Sequence, residues 1–136
     1  MLERLIADTG YLVAFGRRAD PRYAGAHRFA DRFLGRLVTA APIIVEACHF
    51  LNTESRLALL EWAGSGTLGV VEVPTRVYPE LAVTIRRYAS RNIDFADASL
   101  VWLADQAGLR RILTVDIADF STFRLRNGKR FELVEW

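Results

Sequence analysis

Four acidic residues, Asp8, Glu46, Asp97 and Asp116, stand where a carboxylate is either a local cap or part of a shared site. Asp8 follows the apolar run Leu5-Ile6-Ala7, and Asp116 follows Leu113-Thr114-Val115, so each comes directly after a short β-prone segment. In an open parallel sheet, ligands bind beyond the carboxyl ends of the strands. Two acids at equivalent strand ends therefore have a cleft in common. Taken singly, either one also suits the start of the next turn or helix, because Asp is a good N-cap. Asp97 is harder to explain away. Leu100, Val101 and Ala104 lie at i+3, i+4 and i+7 from it, which sets a carboxylate inside the apolar stripe of its helix. That placement is costly unless a partner or a cation offsets the desolvation. Its alternative is a capping box with Asp94, three residues earlier. Glu46 lies at the rim of the apolar face of a helix opened by Pro42, beside Ile43 and Phe50, where a solvated glutamate is the alternative.

The set carries more than its members. Four acids delivered from separate segments to one cleft repel one another and raise one another's pKa, so a cation is expected among them. Oxygen ligands without a histidine or cysteine cluster favour a hard ion, magnesium or manganese. Magnesium keeps several waters and is held by a few carboxylates together with substrate phosphate. The chemistry this implies is phosphodiester cleavage, in which a metal activates water and stabilises the leaving oxygen.

The elements that must position these acids alternate along the chain. A strand over Leu5-Ile6-Ala7 leads to a tight turn at Asp8-Thr9-Gly10, and Asp20-Pro21 opens a helix to about Arg36. Leu37-Val38-Thr39 is a strand, Pro42 to about Asn52 a helix, and Ser55 to Trp62 a shorter helix ending at Gly64-Ser65-Gly66. A strand over Leu68 to Val73 is followed by a helix from Thr75 to Arg91, with Pro79 tolerable only in the first turn. Asp94 caps a helix from Phe95 to Ala107 that stops at Gly108. Arg111 to Val115 is a strand, Ile117 to Phe123 one helical turn, and Phe131 to Val134 a last strand. Alternation of this kind implies an α/β fold, a parallel sheet covered by helices on both faces. With 136 residues and neither linker nor repeat, residues 1–136 read as one domain.

Composition bounds the rest. A 51% hydrophobic and 25% charged chain is ordinary for a globular protein and argues against disorder. The apolar runs are too short to cross a bilayer. The start, Met-Leu-Glu-Arg, has no secretory pattern, so a cytoplasmic home and no membrane partner are expected. A single cysteine, Cys48, excludes an internal disulfide and a cysteine-rich zinc site. The net charge of +2 is carried almost wholly by arginine, Lys129 being the one lysine, which is compatible with phosphate contacts without demanding them.

The ordered pieces Ile6-Ala7-Asp8-Thr9-Gly10-Tyr11-Leu12, Pro42-Ile43-Ile44-Val45-Glu46, Phe95-Ala96-Asp97-Ala98-Ser99-Leu100 and Thr114-Val115-Asp116, followed by Asp119-Phe120, carry a resemblance. Over essentially its whole length the chain resembles a PIN domain, and within that superfamily the VapC toxins of toxin–antitoxin pairs. The resemblance implies a three-layer α/β/α sandwich with a parallel sheet ordered 3-2-1-4-5. It implies a metal-dependent endoribonuclease, with Asp8, Glu46, Asp97 and Asp116 holding Mg2+ or Mn2+. Thr9 and Thr114 match hydroxyl positions that support the acids, and Asp119 is either a ligand through water or a cap. It further implies an RNA substrate, a cognate antitoxin and a symmetric homodimer. A PIN-type nuclease of RNA maturation and a non-catalytic binding module with this fold are the alternatives. Intact acids at all four positions count against the module.

Other residues have plainer readings. His27 and His49 lack metal-ligand spacing, Cys48 lies on an apolar helix face, and Trp62, Trp102 and Trp136 are too scattered for a stacking platform. Arg17-Arg18, just past the first strand end, are candidates for RNA phosphate or solvated loop residues, and Arg86-Arg87 and Arg91 are equally ambiguous. Leu57, Leu60, Trp62, Val77 and Tyr78 are the candidates for an exposed apolar dimer face.

Overall fold

The apolar runs become the strands of one sheet. In the computed structural model, which describes residues 2–136, these are β1 (Arg4–Ala7), β2 (Arg36–Ala40), β3 (Gly69–Val71), β4 (Arg111–Leu113) and β5 (Glu132–Leu133). Every pairing is parallel and the order is β3-β2-β1-β4-β5. Central β1 sets Ile6 opposite Val38 on one side and Ile112 on the other. Leu5, Ile6 and Ala7 are all buried, as expected for a strand covered on both faces. Thr39, the one hydroxyl inside β2, is satisfied by donating to the Ala7 carbonyl at 2.7 Å.

Among the described residues, seven helices complete the three layers: α1 (Thr9–Gly16), α2 (Tyr23–Arg32), α3 (Ala41–Phe50), α4 (Thr53–Gly64), α5 (Tyr78–Arg87), α6 (Phe95–Ala107) and α7 (Ile117–Thr122). α6 is the helix at the centre of the packing. Ala98 through Ala104 are buried on every side, against β2, α3 and α5. Gly108 ends it in the left-handed region at φ 68°, as a C-terminal glycine should.

β3, β4 and β5 are shorter than expected and α4 is longer, at Thr53–Gly64, and three further differences are larger. Asp8-Thr9-Gly10 is no turn, because α1 begins at Thr9, immediately after β1 and its capping residue. Tyr11 to Ala14 are all buried, so this helix shows none of the polar-face contrast that reveals a helix in sequence. The helix expected from Asp20 is shorter at both ends, Tyr23–Arg32. Asp20 closes a turn ahead of it by accepting the Arg22 amide at 2.8 Å. The helix expected from Thr75 to Arg91 is α5 with a separate 3-10 turn on either side, Thr75–Val77 and Ala89–Arg91. Asn92, at φ 52°, breaks the chain there and aims it toward α6. Pro79 lies in the first turn of α5, as required.

Candidate active site

Each acid is placed by its own local structure. Asp8 caps α1, its Oδ1 accepting the Thr9 amide at 2.7 Å. Asp116 caps α7, its Oδ1 accepting the Asp119 amide at 3.1 Å. Asp97 and Asp94 form a reciprocal capping box at the start of α6: Asp94 Oδ1 accepts the Asp97 amide at 2.9 Å, and Asp97 Oδ2 accepts the Asp94 amide at 3.2 Å. The caps are thus present at Asp8, Asp97 and Asp116, and they are compatible with a shared site. A cap fixes the side chain but leaves a carboxylate with further lone pairs, so capping does not bar these acids from lining a common cavity.

Two threonines join the acids across the sheet. Thr114 Oγ1 donates to Asp8 Oδ2 at 2.6 Å and accepts the Asp116 amide at 3.0 Å. Thr9 Oγ1 donates to Glu46 Oε1 at 2.6 Å. The chain of bonds thus runs from the start of α7 through the ends of β4 and β1 to α3. Asp8, Glu46, Asp97 and Asp116 line one cavity of about 310 Å³, together with Thr9, Gly10, Val13, Asp20, Arg22, Phe50 and Val115. It opens beyond the carboxyl ends of β1 and β4, where the sheet rule places a ligand.

Crowding shows in the titration of the four groups. Burial, opposed by the bonds from Thr114 and Thr9 and reinforced by repulsion from Glu46 and Asp116, lifts Asp8 to about 6. Burial, together with repulsion from Asp94 and Asp8, lifts Asp97 to about 7. Glu46 is raised by burial and by Asp94, against the Thr9 bond. Asp116 is raised by burial and by Asp119, with the Arg91 charge pulling the other way. Each shift favours the neutral acid, and a bound cation reverses that preference.

Gly10 shows how closely the segments meet. A Cβ there would stand 2.3 Å from Cγ2 of Val115, the residue before Asp116. Only glycine lets the first turn of α1 approach the end of β4 so closely.

Other candidates fall elsewhere. Asp119 does not line the cavity; its Oδ1 accepts from Arg91 Nε at 2.6 Å, tying the end of the 3-10 turn to α7. Arg17 and Arg18 line a different and larger cavity, bounded by α1, the α1–α2 loop and α4, with Phe15 and Trp62 on its wall. His27 is a packing residue, stacked on Phe15 at 4.1 Å and bonded to the Phe15 carbonyl at 2.7 Å. His49 lies outside the acid cavity, on the rims of two others. Cys48 is half-buried against the core. Among the dimer-face candidates, Leu57, Leu60 and Tyr78 are exposed, but Val77 is buried and Trp62 packs against the core. Val45, Phe50 and Val83 are exposed instead.

The donor set suits a hard, hydrated cation: every charged lining group except Arg22 is a carboxylate, and neither histidine nor cysteine is present in this cavity. Among the described residues, no three such side chains close to within direct ligating distance of one point. A magnesium ion that keeps several of its waters suits such a donor set, since it needs only one or two direct carboxylates.

The sheet order is the 3-2-1-4-5 that the resemblance implied. No family model matches the chain. Over 134 residues it is 28% identical to Ribonuclease VapC26 of Mycobacterium tuberculosis, an alignment spanning 96% of this chain and 99% of that protein. Its fold superposes with a TM-score of 0.73 on the crystal structure of Mycobacterium tuberculosis VapC20, a Sarcin-Ricin loop cleaving toxin. That match covers 79% of this chain and 86% of the other at 20% identity. The chain is thus similar to one VapC-type ribonuclease along nearly its whole length and shares its fold with a second VapC protein.

Proposed function

We propose that this protein is a divalent-metal-dependent endoribonuclease and the toxin of a VapBC-type pair, cleaving RNA by attack of water on a phosphodiester. The observation that carries the reading is the cavity lined by Asp8, Glu46, Asp97 and Asp116 at the carboxyl ends of the central strands. Similarity to Ribonuclease VapC26 along nearly the whole of both chains supports it. Mg2+ or Mn2+, when bound, supplies Lewis acidity for the attacking water and the leaving oxygen. The protein's part is to hold charge in place. Thr114 and the Thr9 amide orient Asp8, Thr9 orients Glu46, and the capping box holds Asp97 on the first turn of α6. Asp116, fixed by its own cap, closes the ring beside Thr114. With the site pre-arranged, little reorganisation is needed as negative charge develops on the phosphate.

The partners of this reading are RNA, a cognate antitoxin encoded beside the gene, and a second copy of the chain. The apolar side chains left exposed on α3, α4 and α5, including Phe50, Leu57, Leu60 and Val83, support the homodimer. No helix among the described residues is long and apolar enough to cross a membrane. A cytoplasmic site of action is part of the proposal, since that is where RNA is met.

The test is expression with and without the neighbouring frame, followed by mapping of new RNA 5′ ends. It is joined to cleavage by purified protein in Mg2+ with and without excess EDTA. New 5′ ends that vanish with the antitoxin, and cleavage that stops on chelation, are the expected results. Full cleavage in EDTA, with copurifying nuclease ruled out, removes the metal mechanism.

A further inference from the structure

The acid cavity has one cationic wall. Of the charged side chains that line it, five are carboxylates, Asp8, Asp20, Glu46, Asp97 and Asp116, and one is the guanidinium of Arg22. Arg22 reaches this position because the Asp20-Pro21-Arg22 turn doubles back ahead of α2. Asp20 Oδ1 accepts the Arg22 amide at 2.8 Å, and the Tyr23 amide is bonded to the Asp20 carbonyl at 3.0 Å. The backbone is held, but the side chain is largely uncommitted. Its one ion pair among the described residues is Nη1 to Asp20 Oδ1 at 3.9 Å, the outer edge of such contacts, and that oxygen already accepts the amide. Arg22 is also 54% exposed, so its five-donor fork is open to an incoming group.

We infer that Arg22 forms a phosphate subsite of the active cavity, binding a phosphodiester oxygen of the RNA strand next to the four acids. The inference rests on the ribonuclease reading above. A polyanion entering a ring of carboxylates meets repulsion that a cation between the acids relieves only in part. A guanidinium lining the same cavity supplies a planar, two-pronged donor matched to a phosphate. Arg17 and Arg18, the basic pair expected to do this from sequence, face the larger cavity instead.

The experiment has two parts, both on the full-length protein. Cleavage of RNA in Mg2+ is measured first for wild type and for Arg22→Ala. Binding of a fluorescein-labelled single-stranded RNA is then measured by anisotropy across a salt series in Mg2+. Asp97→Asn serves as the uncleaving background, alone and with Arg22→Ala, Arg22→Lys or Arg130→Ala. Arg130 is exposed, lines none of the three cavities described here, and controls for loss of one unit of net charge. Arg22→Ala is expected to lower kcat/KM by roughly 10- to 100-fold, since charge-assisted bidentate contacts are among the stronger ones. It is also expected to flatten the slope of log K against log salt by about 0.7, the value of one phosphate contact on a single strand. Arg22→Lys keeps the slope but recovers only part of the cleavage, because an ammonium lacks the fork. Wild type that cleaves RNA, with an Arg22→Ala slope equal to the parent's or to that of Arg130→Ala, overturns the subsite and leaves the ribonuclease reading standing. Wild type that neither cleaves nor binds RNA overturns both.

Discussion

Thr114 donates its hydroxyl to Asp8 at 2.6 Å across 106 positions of sequence, and the same oxygen accepts the Asp116 amide at 3.0 Å. One buried hydroxyl therefore links two acidic residues that lie beyond the ends of neighbouring parallel strands, each capping the helix that follows. Thr114→Ala leaves Asp8 Oδ2 without its partner and is expected to lower cleavage about tenfold, with a modest loss of stability of about 1–2 kcal/mol. Thr114→Ser restores most of both. An alanine variant with wild-type kcat/KM would show that the bond has no part in positioning the acids.

The acids themselves divide by position. Asp8→Asn and Asp97→Asn are expected to reduce RNA cleavage by at least about 100-fold, the scale of losing a group that acts only at the transition state. The same changes leave the fold intact. In chelator at neutral pH they leave stability unchanged or raise it by up to about 1–2 kcal/mol, because repulsion in the cluster falls. Asp119→Asn, which removes the charge from the Arg91 contact outside the cavity, reduces cleavage far less. Near-normal turnover by either main variant, measured on purified protein, would remove that residue from the site.

Stability of the metal-free protein should fall as pH rises through the site's titration. Folded Asp8 and Asp97 titrate at about 6 and about 7, above the reference of 3.8. Between roughly pH 4 and 7 the native state thus keeps protons that the unfolded chain has released, and unfolding becomes easier with each step upward. Divalent cation reverses the trend, since it binds the ionised carboxylates. Calorimetry in EDTA should give a Tm that drops over this window, less steeply for Asp97→Asn. Added Mg2+ or Mn2+ should raise Tm more at pH 8 than at pH 5.5. A cation effect equal at both values would mean that these acids do not bind it.

Gly10 offers a steric test that touches no charged group. The methyl of Gly10→Ala meets Val115 and must displace it or the first turn of α1. We expect a cost of roughly 1–3 kcal/mol, typical of overpacking. Cleavage should drop beyond what the stability loss explains, because Val115 precedes Asp116. Pairing with Val115→Ala relieves the contact and recovers activity. Failure of the double variant to recover any activity would place the defect elsewhere.

Assembly is read from light scattering. The exposed apolar side chains of α3, α4 and α5 lead us to expect a two-fold dimer at micromolar concentration, of twice the 15.4 kDa chain mass, with both acid cavities open toward RNA. Substituting Leu57 and Leu60 by Ser should shift it toward monomer. A particle that remains at the chain mass on concentration excludes the dimer.

The strands, and the acids that the structure brings to one cavity, were legible because their signals are local, whereas the sheet order came only with the family resemblance. Leu5-Ile6-Ala7 and Leu113-Thr114-Val115 end at Asp8 and Asp116, and Asp97 sits at helical spacing from Leu100, Val101 and Ala104. Such signals survive reduction to a string, since periodicity and capping chemistry depend on neighbours in the chain. α1 was hidden because a helix buried all round has no polar face to mark its period. Val77 was misread as exposed for a similar reason: apolar surplus shows in sequence, but the neighbour that covers each residue does not. Only the tertiary structure decided that Asp20 and Arg22 face the acids while Arg17 and Arg18 face another cavity, and that Asp119 holds Arg91. A loop's side chains are aimed by its turn geometry and by the elements it crosses, and those contacts join residues that no spacing rule connects.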